Sequence, residues 1–127
     1  METGGGREVA SVGWMRVLLV ERHPELRRVL GELLASEGLG VYPVDSPAAA
    51  AAALARGVHV DVVLVDEDTA PYEVMRLRDG ARPAVPVVVG TYGPRHYPGA
   101  DAEAQKARIG ELVSKLRGAS ADARERQ

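Results

Sequence analysis

Three polar side chains stand directly after short apolar segments of this sequence: Glu21, Asp66 and Thr91. Asp66 follows the Val-rich segment 60–65 and opens an acidic stretch that includes Asp68. In an open parallel sheet, ligands and reactions lie just beyond the carboxyl ends of the strands. Carboxylates with a hydroxyl opposite them suit a hard cation such as Mg²⁺ that holds a phosphoryl group. Each residue alone is more typical of an ordinary strand end, whereas the three together at matching strand ends favour a shared site.

The segments that would position these residues alternate between two patterns. Short runs rich in Val and Leu are typical of strands and occupy residues 16–20, 41–44, 60–65 and 85–89. Stripes of apolar residues, bounded by proline, serine or glycine, predict helices at about 24–37, 48–56, 72–78 and 101–117. Because strands that alternate with helices form right-handed βαβ units, we predict an α/β fold with a doubly wound parallel sheet in a three-layer αβα sandwich. Pro43 lacks an N–H group and therefore places the second strand at a sheet edge.

Composition restricts the class of protein. The chain has 127 residues, no cysteine and a net charge of −2, which predicts one domain without disulfides and disfavours nucleic acid as a partner. No apolar run approaches the ~20 residues that span a bilayer, and the first segment lacks a signal-peptide core. We therefore expect a cytoplasmic domain with no membrane contact. Residues 1–14 are assigned to a disordered lead, 15–117 to the domain and 118–127 to a flexible tail, with Met15 as a candidate true start.

Three stretches together resemble one known family. They are RVLLVERHPEL at 16–26, DVVLVD at 61–66 and VPVVVGT at 85–91, and their order and separation are similar to those of the receiver domain of two-component response regulators. The resemblance covers residues 15 to 92 and implies a sheet with strand order 2-1-3-4. It also implies that Asp66 is at the phosphoacceptor position, that Glu21 and Asp68 belong to the acidic pocket, and that Thr91 is the switch hydroxyl. Mg²⁺, held by Glu21 and Asp66, is the cofactor it implies.

Several departures from the family pattern weaken these expectations. Arg22 stands where the family usually has an Asp that contacts the metal, which removes a ligand and adds repulsion toward Mg²⁺. Two orientations of Arg22 remain open: it pairs with Asp66 in place of the metal, or it points into solvent. Tyr92 follows the switch threonine, where a small residue is usual, and either covers Asp66 or is an ordinary, partly exposed tyrosine.

The largest departure is a deletion near the C-terminal edge of the sheet. The family has a fourth helix, a fifth strand and a Lys-Pro pair after the switch residue, but only residues 92–101 separate Thr91 from the last helix. We therefore expect the fourth strand to lie at a sheet edge, where an uncovered strand invites pairing. Either residues 95–98 fold over this edge, or two chains pair there as a homodimer.

These observations predict a stand-alone, atypical receiver-like domain in two-component signal transduction. We expect it to act by protein–protein interaction rather than as an enzyme, with a signalling protein such as a histidine kinase as partner and with weak or absent phosphorylation of Asp66. The alternative is a flavodoxin-like domain or small enzyme that binds a nucleotide or small ligand in the same crevice. Such a site would need a Gly-rich first loop, whereas residues 21–24 are charged and stiff.

Overall fold

The described residues of the computed structural model, 14–66, 68–80, 84–90 and 102–126, form four strands and four helices. The strands are β1 (Arg16–Val20), β2 (Gly40–Val44), β3 (Val62–Asp66) and β4 (Val87–Gly90). The helices are α1 (Pro24–Ser36), α2 (Pro47–Ala55), α3 (Pro71–Gly80) and α4 (Ala102–Glu125), and the side chains of α4 are described from residue 109 onward. All strand pairs are parallel, in the order β2-β1-β3-β4. The predicted α/β fold and strand order are confirmed.

Two separate cores lie on the two faces of this sheet. Alternate residues of a strand point to opposite faces, so Val17 and Leu19 of β1 face one core, while Leu18 and Val20 face the other. The first core includes residues of α1 and α4, and the second includes residues of α2 and α3. All four valine and leucine residues of β3, from Val62 to Val65, are fully buried, as expected for a strand with helices on both faces.

The helices α1 and α2 begin and end at the residues that the sequence marks. His23 caps α1 by accepting a hydrogen bond from Leu26 N at its Nδ1 atom (3.2 Å), and Ser46 caps α2 by accepting one from Ala49 N (3.0 Å). Gly38 and Gly57 follow the two helices with φ angles of +87° and +91°, where a side chain would strain the backbone. The alanine-rich segment is therefore a capped helix.

The edge position predicted for the second strand is confirmed. Gly40 N donates to Met15 O (2.9 Å), and Glu21 N donates to Val44 O (3.1 Å). The backbone N–H and C=O groups of the even-numbered residues of β2 therefore point toward β1, and those of the odd-numbered residues point away from it. Pro43 consequently faces the open edge, where its missing N–H group breaks no hydrogen bond of the sheet.

The starts of two strands differ by two residues from the sequence prediction. Strands β3 and β4 begin two residues later than predicted. Before β3, the Asp61 side chain accepts a hydrogen bond from Arg16 N (2.8 Å) and Asp61 N donates one to Arg16 O (2.8 Å). As expected for a strand at a sheet edge, β4 is partly exposed, and Val89 has 46% of its surface accessible.

Helix α4 does not end at Arg117 as predicted but continues to Glu125. Its buried stripe of Ile109, Leu112, Val113 and Leu116 is extended by small residues: Ala119 packs against the core and Ser120 is buried. The Ser120 hydroxyl is satisfied by a hydrogen bond from Arg124 Nη1 (3.2 Å). Residues 118–127 are mostly polar in sequence and were therefore assigned to a flexible tail. The observed helix through Glu125 contradicts that assignment.

Some predictions lie outside the described residues. These concern residues 1–13 of the disordered lead assigned to 1–14, and the covering role of residues 95–98. Within the described part of the chain, no helix combines the length and the apolar character that crossing a membrane requires.

Candidate functional site

The sheet brings Glu21 and Asp66 to the same end of two neighbouring strands. The register of β1 against β3 pairs Leu19 with Leu64, and two further residues along each strand are Glu21 and Asp66. On its other side, Asp66 pairs with Gly90, the last residue of β4. The topology therefore places the two predicted carboxylates at neighbouring positions above the carboxyl ends of the central strands.

Glu21 is buried, with 4% of its surface exposed, in the turn between β1 and α1. Its Oε2 atom accepts a hydrogen bond from the backbone N–H of His23 (3.0 Å). Its backbone carbonyl accepts a second one from Arg27 Nη1 (2.9 Å). The Glu21 carboxylate thus stabilises the loop that connects β1 to α1. The guanidinium of Arg27, in the first helical turn of α1, contacts the same loop.

Asp66 is half-buried and closes the turn between β3 and α3. Its Oδ1 atom accepts hydrogen bonds from the backbone N–H of Asp68 and from Thr69 Oγ1, both at 3.1 Å. Thr69 N also donates to the Asp66 carbonyl (3.1 Å). This is the local pattern by which aspartate side chains organise turns, and it occupies one of the two carboxylate oxygens with two donors.

The remaining predicted site residues are exposed or lie outside the described residues. Asp68 is exposed, and it is its backbone N–H that contacts Asp66. Arg22 is exposed too, and no ion pair joins it to Asp66 or to any other described carboxylate. Of its two orientations considered above, the one toward solvent is therefore observed. Thr91 and Tyr92 lie outside the described residues.

Sequence reasoning missed two residues that contact this site, Arg27 and Thr69. Thr69 stands three positions after Asp66, a spacing at which a hydroxyl can return to the preceding aspartate in a turn. Arg27 is one helical turn after His23, so a helix that begins at Pro24 carries its side chain back toward the strand end. Both signals are present in the sequence, but neither is specific.

The described residues do not fit the magnesium site that the resemblance implies. No group of three or more His, Cys, Asp or Glu side chains suited to a metal ion occurs among them. Glu21 and Asp66 are neighbours, but Oε2 of Glu21 and Oδ1 of Asp66 already accept hydrogen bonds from the protein, and an arginine replaces the next carboxylate. Mg²⁺ is usually held by one or two carboxylates together with several waters, so the mismatch here lies in the two carboxylate oxygens that are already engaged and in the positive charge of Arg22.

Other charged groups near the start of α1 are paired with each other. Arg28 contacts both Glu25 and Glu32 along the helix. The hydrogen bond from Arg28, together with its positive charge, holds the pKa of Glu25 below its ordinary value. These pairs lie on the exposed surface of α1 and do not extend to Asp66.

We expect the Thr69 hydroxyl to stabilise the turn that holds Asp66. Thr69→Val keeps the shape of the side chain and removes the donor, so the free energy of unfolding should fall by about 1 kcal/mol. Urea denaturation monitored by circular dichroism measures this change. Thr69→Ser is the matched control, because it keeps the hydroxyl and should retain most of the stability. Equal stability of the wild type and Thr69→Val would contradict a structural role for this hydrogen bond.

Similarity to known proteins is found at the level of structure. No protein-family model matches the sequence, and no curated protein does. The response regulator TrrA from Thermotoga maritima, solved with Mg²⁺ and BeF, aligns over 80% of this chain and 98% of its own, with a TM-score of 0.57 and 20% identity. The receiver domain of Francisella response regulator 1452 aligns over 86% of this chain and 98% of its own, with a TM-score of 0.60 and 14% identity.

A sensor protein from Polaromonas sp. JS666 is also similar in structure. It aligns over 85% of this chain and 97% of its own, with a TM-score of 0.64 and 21% identity. The alignments include nearly the whole of each of these proteins, whereas the identities are low enough that they establish architecture alone. Together with the observed strand order, they show that this chain has the fold of response-regulator receiver domains.

Proposed function

We propose that this protein is a divergent receiver-like signalling domain that acts in the cytoplasm by binding a protein partner rather than by catalysis. In this proposal a two-component signalling protein, such as a histidine kinase, is the partner, and Asp66 is phosphorylated weakly or not at all. One observation carries the proposal: Asp66 occupies the end of the central strand in a receiver fold, yet its carboxylate is held within its own turn.

The electrostatics of the crevice support a loss of phosphoryl chemistry. Phosphoryl transfer depends mainly on positioning and on cations that neutralise the charge on the transferred group. Here Oδ1 of Asp66 already accepts two hydrogen bonds, which lowers its capacity to act as a nucleophile. Arg22 gives the adjoining turn a positive charge that repels a divalent ion. A carboxylate in this setting suits a structural role better than a reactive one.

A phosphodonor assay tests this proposal. The protein is incubated with MgCl₂ and acetyl phosphate and then analysed by intact-mass spectrometry, with Asp66→Asn as the matched control. We expect no phosphoryl adduct on either protein. A stoichiometric adduct on the wild type that is absent from Asp66→Asn would refute the proposed loss of phosphorylation. In parallel, thermal stabilisation by a nucleotide would favour the ligand-binding alternative.

A further inference from the structure

A groove of about 620 Å³ lies between α1 and the open edge of β2. Its volume is within the range of roughly 300–1,000 Å³ that is typical of binding clefts in proteins. Most of its lining is apolar and includes Trp14, Ala35, Leu39, Val41 and Pro43. This groove, which we call the α1–β2 groove, is therefore suited to apolar side chains on an extended segment of chain.

The two ends of the α1–β2 groove differ in character. Helix α1 connects two parallel strands, so it runs in the opposite direction to β2. The end near the last turn of α1 holds Ala35 and Trp14, whereas the end near its first turn holds Arg27 and Pro43. Positions 27 and 35 are separated by about 12 Å along the helix. The groove thus has an apolar end and a cationic end.

Arg27 is the cation of this groove that lacks an acidic partner among the described residues. Arg28 already contacts Glu25 and Glu32. Arg27 forms no ion pair with any described carboxylate, and its Nη1 atom donates a hydrogen bond to the Glu21 carbonyl (2.9 Å). A guanidinium carries several further N–H donors, so Arg27 is able to bind a carboxylate as well.

The chain enters the described fold at the apolar end of the groove. Trp14 is the first described residue, lines the groove and has 50% of its surface exposed. A Cβ atom placed on Gly40 would lie 3.9 Å from Cε3 of Trp14, so the indole ring packs beside the first residue of β2. Whatever precedes Trp14 in the chain is therefore tethered next to the groove.

The sequence immediately before Trp14 matches the groove in composition and in length. Residues 7–13, REVASVG, contain Val9, Val12 and a single acidic residue, Glu8. Followed backwards from Trp14, the two valines come first and Glu8 comes after them, which is the order of the apolar and cationic ends of the groove. The stretch from Glu8 to Trp14 spans up to about 20 Å when extended, which exceeds the distance between the two ends.

We propose that residues 7–13 bind in the α1–β2 groove of their own chain, with Val9 and Val12 on its apolar lining and Glu8 beside Arg27. A segment tethered so closely has an effective concentration in roughly the millimolar range, so a weak contact is enough to occupy the groove. The valines supply most of the binding, because an exposed ion pair contributes little. This contact does not depend on whether Asp66 is phosphorylated.

Paramagnetic relaxation in NMR spectra tests the position of the segment. The chain contains no cysteine, so A10C carries a single nitroxide label. We expect the label to remove most of the intensity of the backbone amide signals of Arg27 and Arg28, at the end of the groove far from Trp14. Val12→Asp in the labelled protein should restore these signals, because a carboxylate opposes burial against apolar groups.

Glu2→Arg is the matched control, because it changes a charge outside residues 7–13 and should leave the signal loss unchanged. Intact signals of Arg27 and Arg28 in labelled A10C, or an equal loss in the Val12→Asp variant, would overturn the proposal. A mixture of labelled protein with unlabelled, isotope-enriched protein identifies the chain that contributes the segment. Signal loss in this mixture would assign the segment to a second copy and would also overturn it.

Trp14 gives an independent measurement, because it is the only tryptophan of the chain. Val12→Asp should increase acrylamide quenching of its fluorescence about twofold by uncovering the indole ring. Glu8→Arg should also increase the quenching, and Glu8→Arg combined with Arg27→Glu should restore the wild-type value. Equal quenching in the wild type and in Val12→Asp would show that residues 7–13 do not cover the groove, and no restoration in the double variant would contradict the contact between Glu8 and Arg27.

Discussion

Leu64→Ala is expected to lower the free energy of unfolding by about 2–5 kcal/mol. Leu64 is fully buried in β3, which pairs with β1 on one side and β4 on the other, at Leu19 and Val88 respectively. It belongs to the core between the sheet and helices α1 and α4. Since backbone hydrogen bonds fix the neighbouring strands, the cavity left by the substitution cannot collapse fully. Such a loss is a large part of the 5–15 kcal/mol that stabilises a typical domain.

Urea denaturation of this variant and of a control measures the effect. Leu33→Ala is the control, because it removes the same atoms from a partly exposed position on α1 and should cost less than about 1 kcal/mol. The dependence of stability on urea should have the same slope for both variants, as expected when the surface exposed on unfolding is unchanged. A cost for Leu64→Ala as small as that for Leu33→Ala would contradict the central position of β3.

Arg22→Asp is expected to strengthen Mg²⁺ binding in the crevice by roughly a hundredfold. If the new carboxylate lies about 6 Å from the ion, each pair of unit charges interacts in water by about 0.7 kcal/mol. The substitution changes the local charge by two units and Mg²⁺ carries two, so the difference is about 3 kcal/mol. The new carboxylate would stand between Glu21 and His23, at the end of β1 that adjoins Asp66.

Isothermal titration with MgCl₂ measures this gain. Arg126→Asp is the matched control, because it makes the same change of charge at an exposed position at the end of α4, away from the crevice. It should leave Mg²⁺ binding as weak as in the wild type. If Arg22→Asp and Arg126→Asp had the same affinity for Mg²⁺, then Arg22 would not be what excludes the ion.

Most of the architecture could be predicted because it depends on short-range signals. Val-rich segments favour extended strands, Pro24 and Pro47 favour the first position of a helix, and Gly38 and Gly57 tolerate the positive φ that ends one. The neighbouring positions of Glu21 and Asp66 followed from the strand order alone. The end of α4 could not be read in the same way, because Ser120 is a polar residue that only tertiary packing buries.

The detailed geometry of the candidate site was less accessible to sequence reasoning. A pair between Arg22 and Asp66 was a reasonable expectation from charge, but a long exposed side chain gains little from one ion pair. The Asp66 carboxylate instead contacts the backbone of Asp68 and the hydroxyl of Thr69, which are only two and three residues away. Because these donors are close to Asp66 in sequence, forming the hydrogen bonds orders few additional residues. The sequence around Asp66 contains no motif that distinguishes an aspartate held in a turn from an aspartate that binds a metal ion.

We propose that Asp66, at the carboxyl end of β3, is held within its own turn and does not bind Mg²⁺. The most direct test follows the backbone amide resonances of Asp68 and Thr69 by two-dimensional NMR during a titration of the wild-type protein with MgCl₂. Both amides adjoin Asp66, so an ion bound at this carboxylate must shift them. We expect no saturable change at millimolar Mg²⁺. Saturable shifts of both amides, abolished by Asp66→Asn, would contradict it.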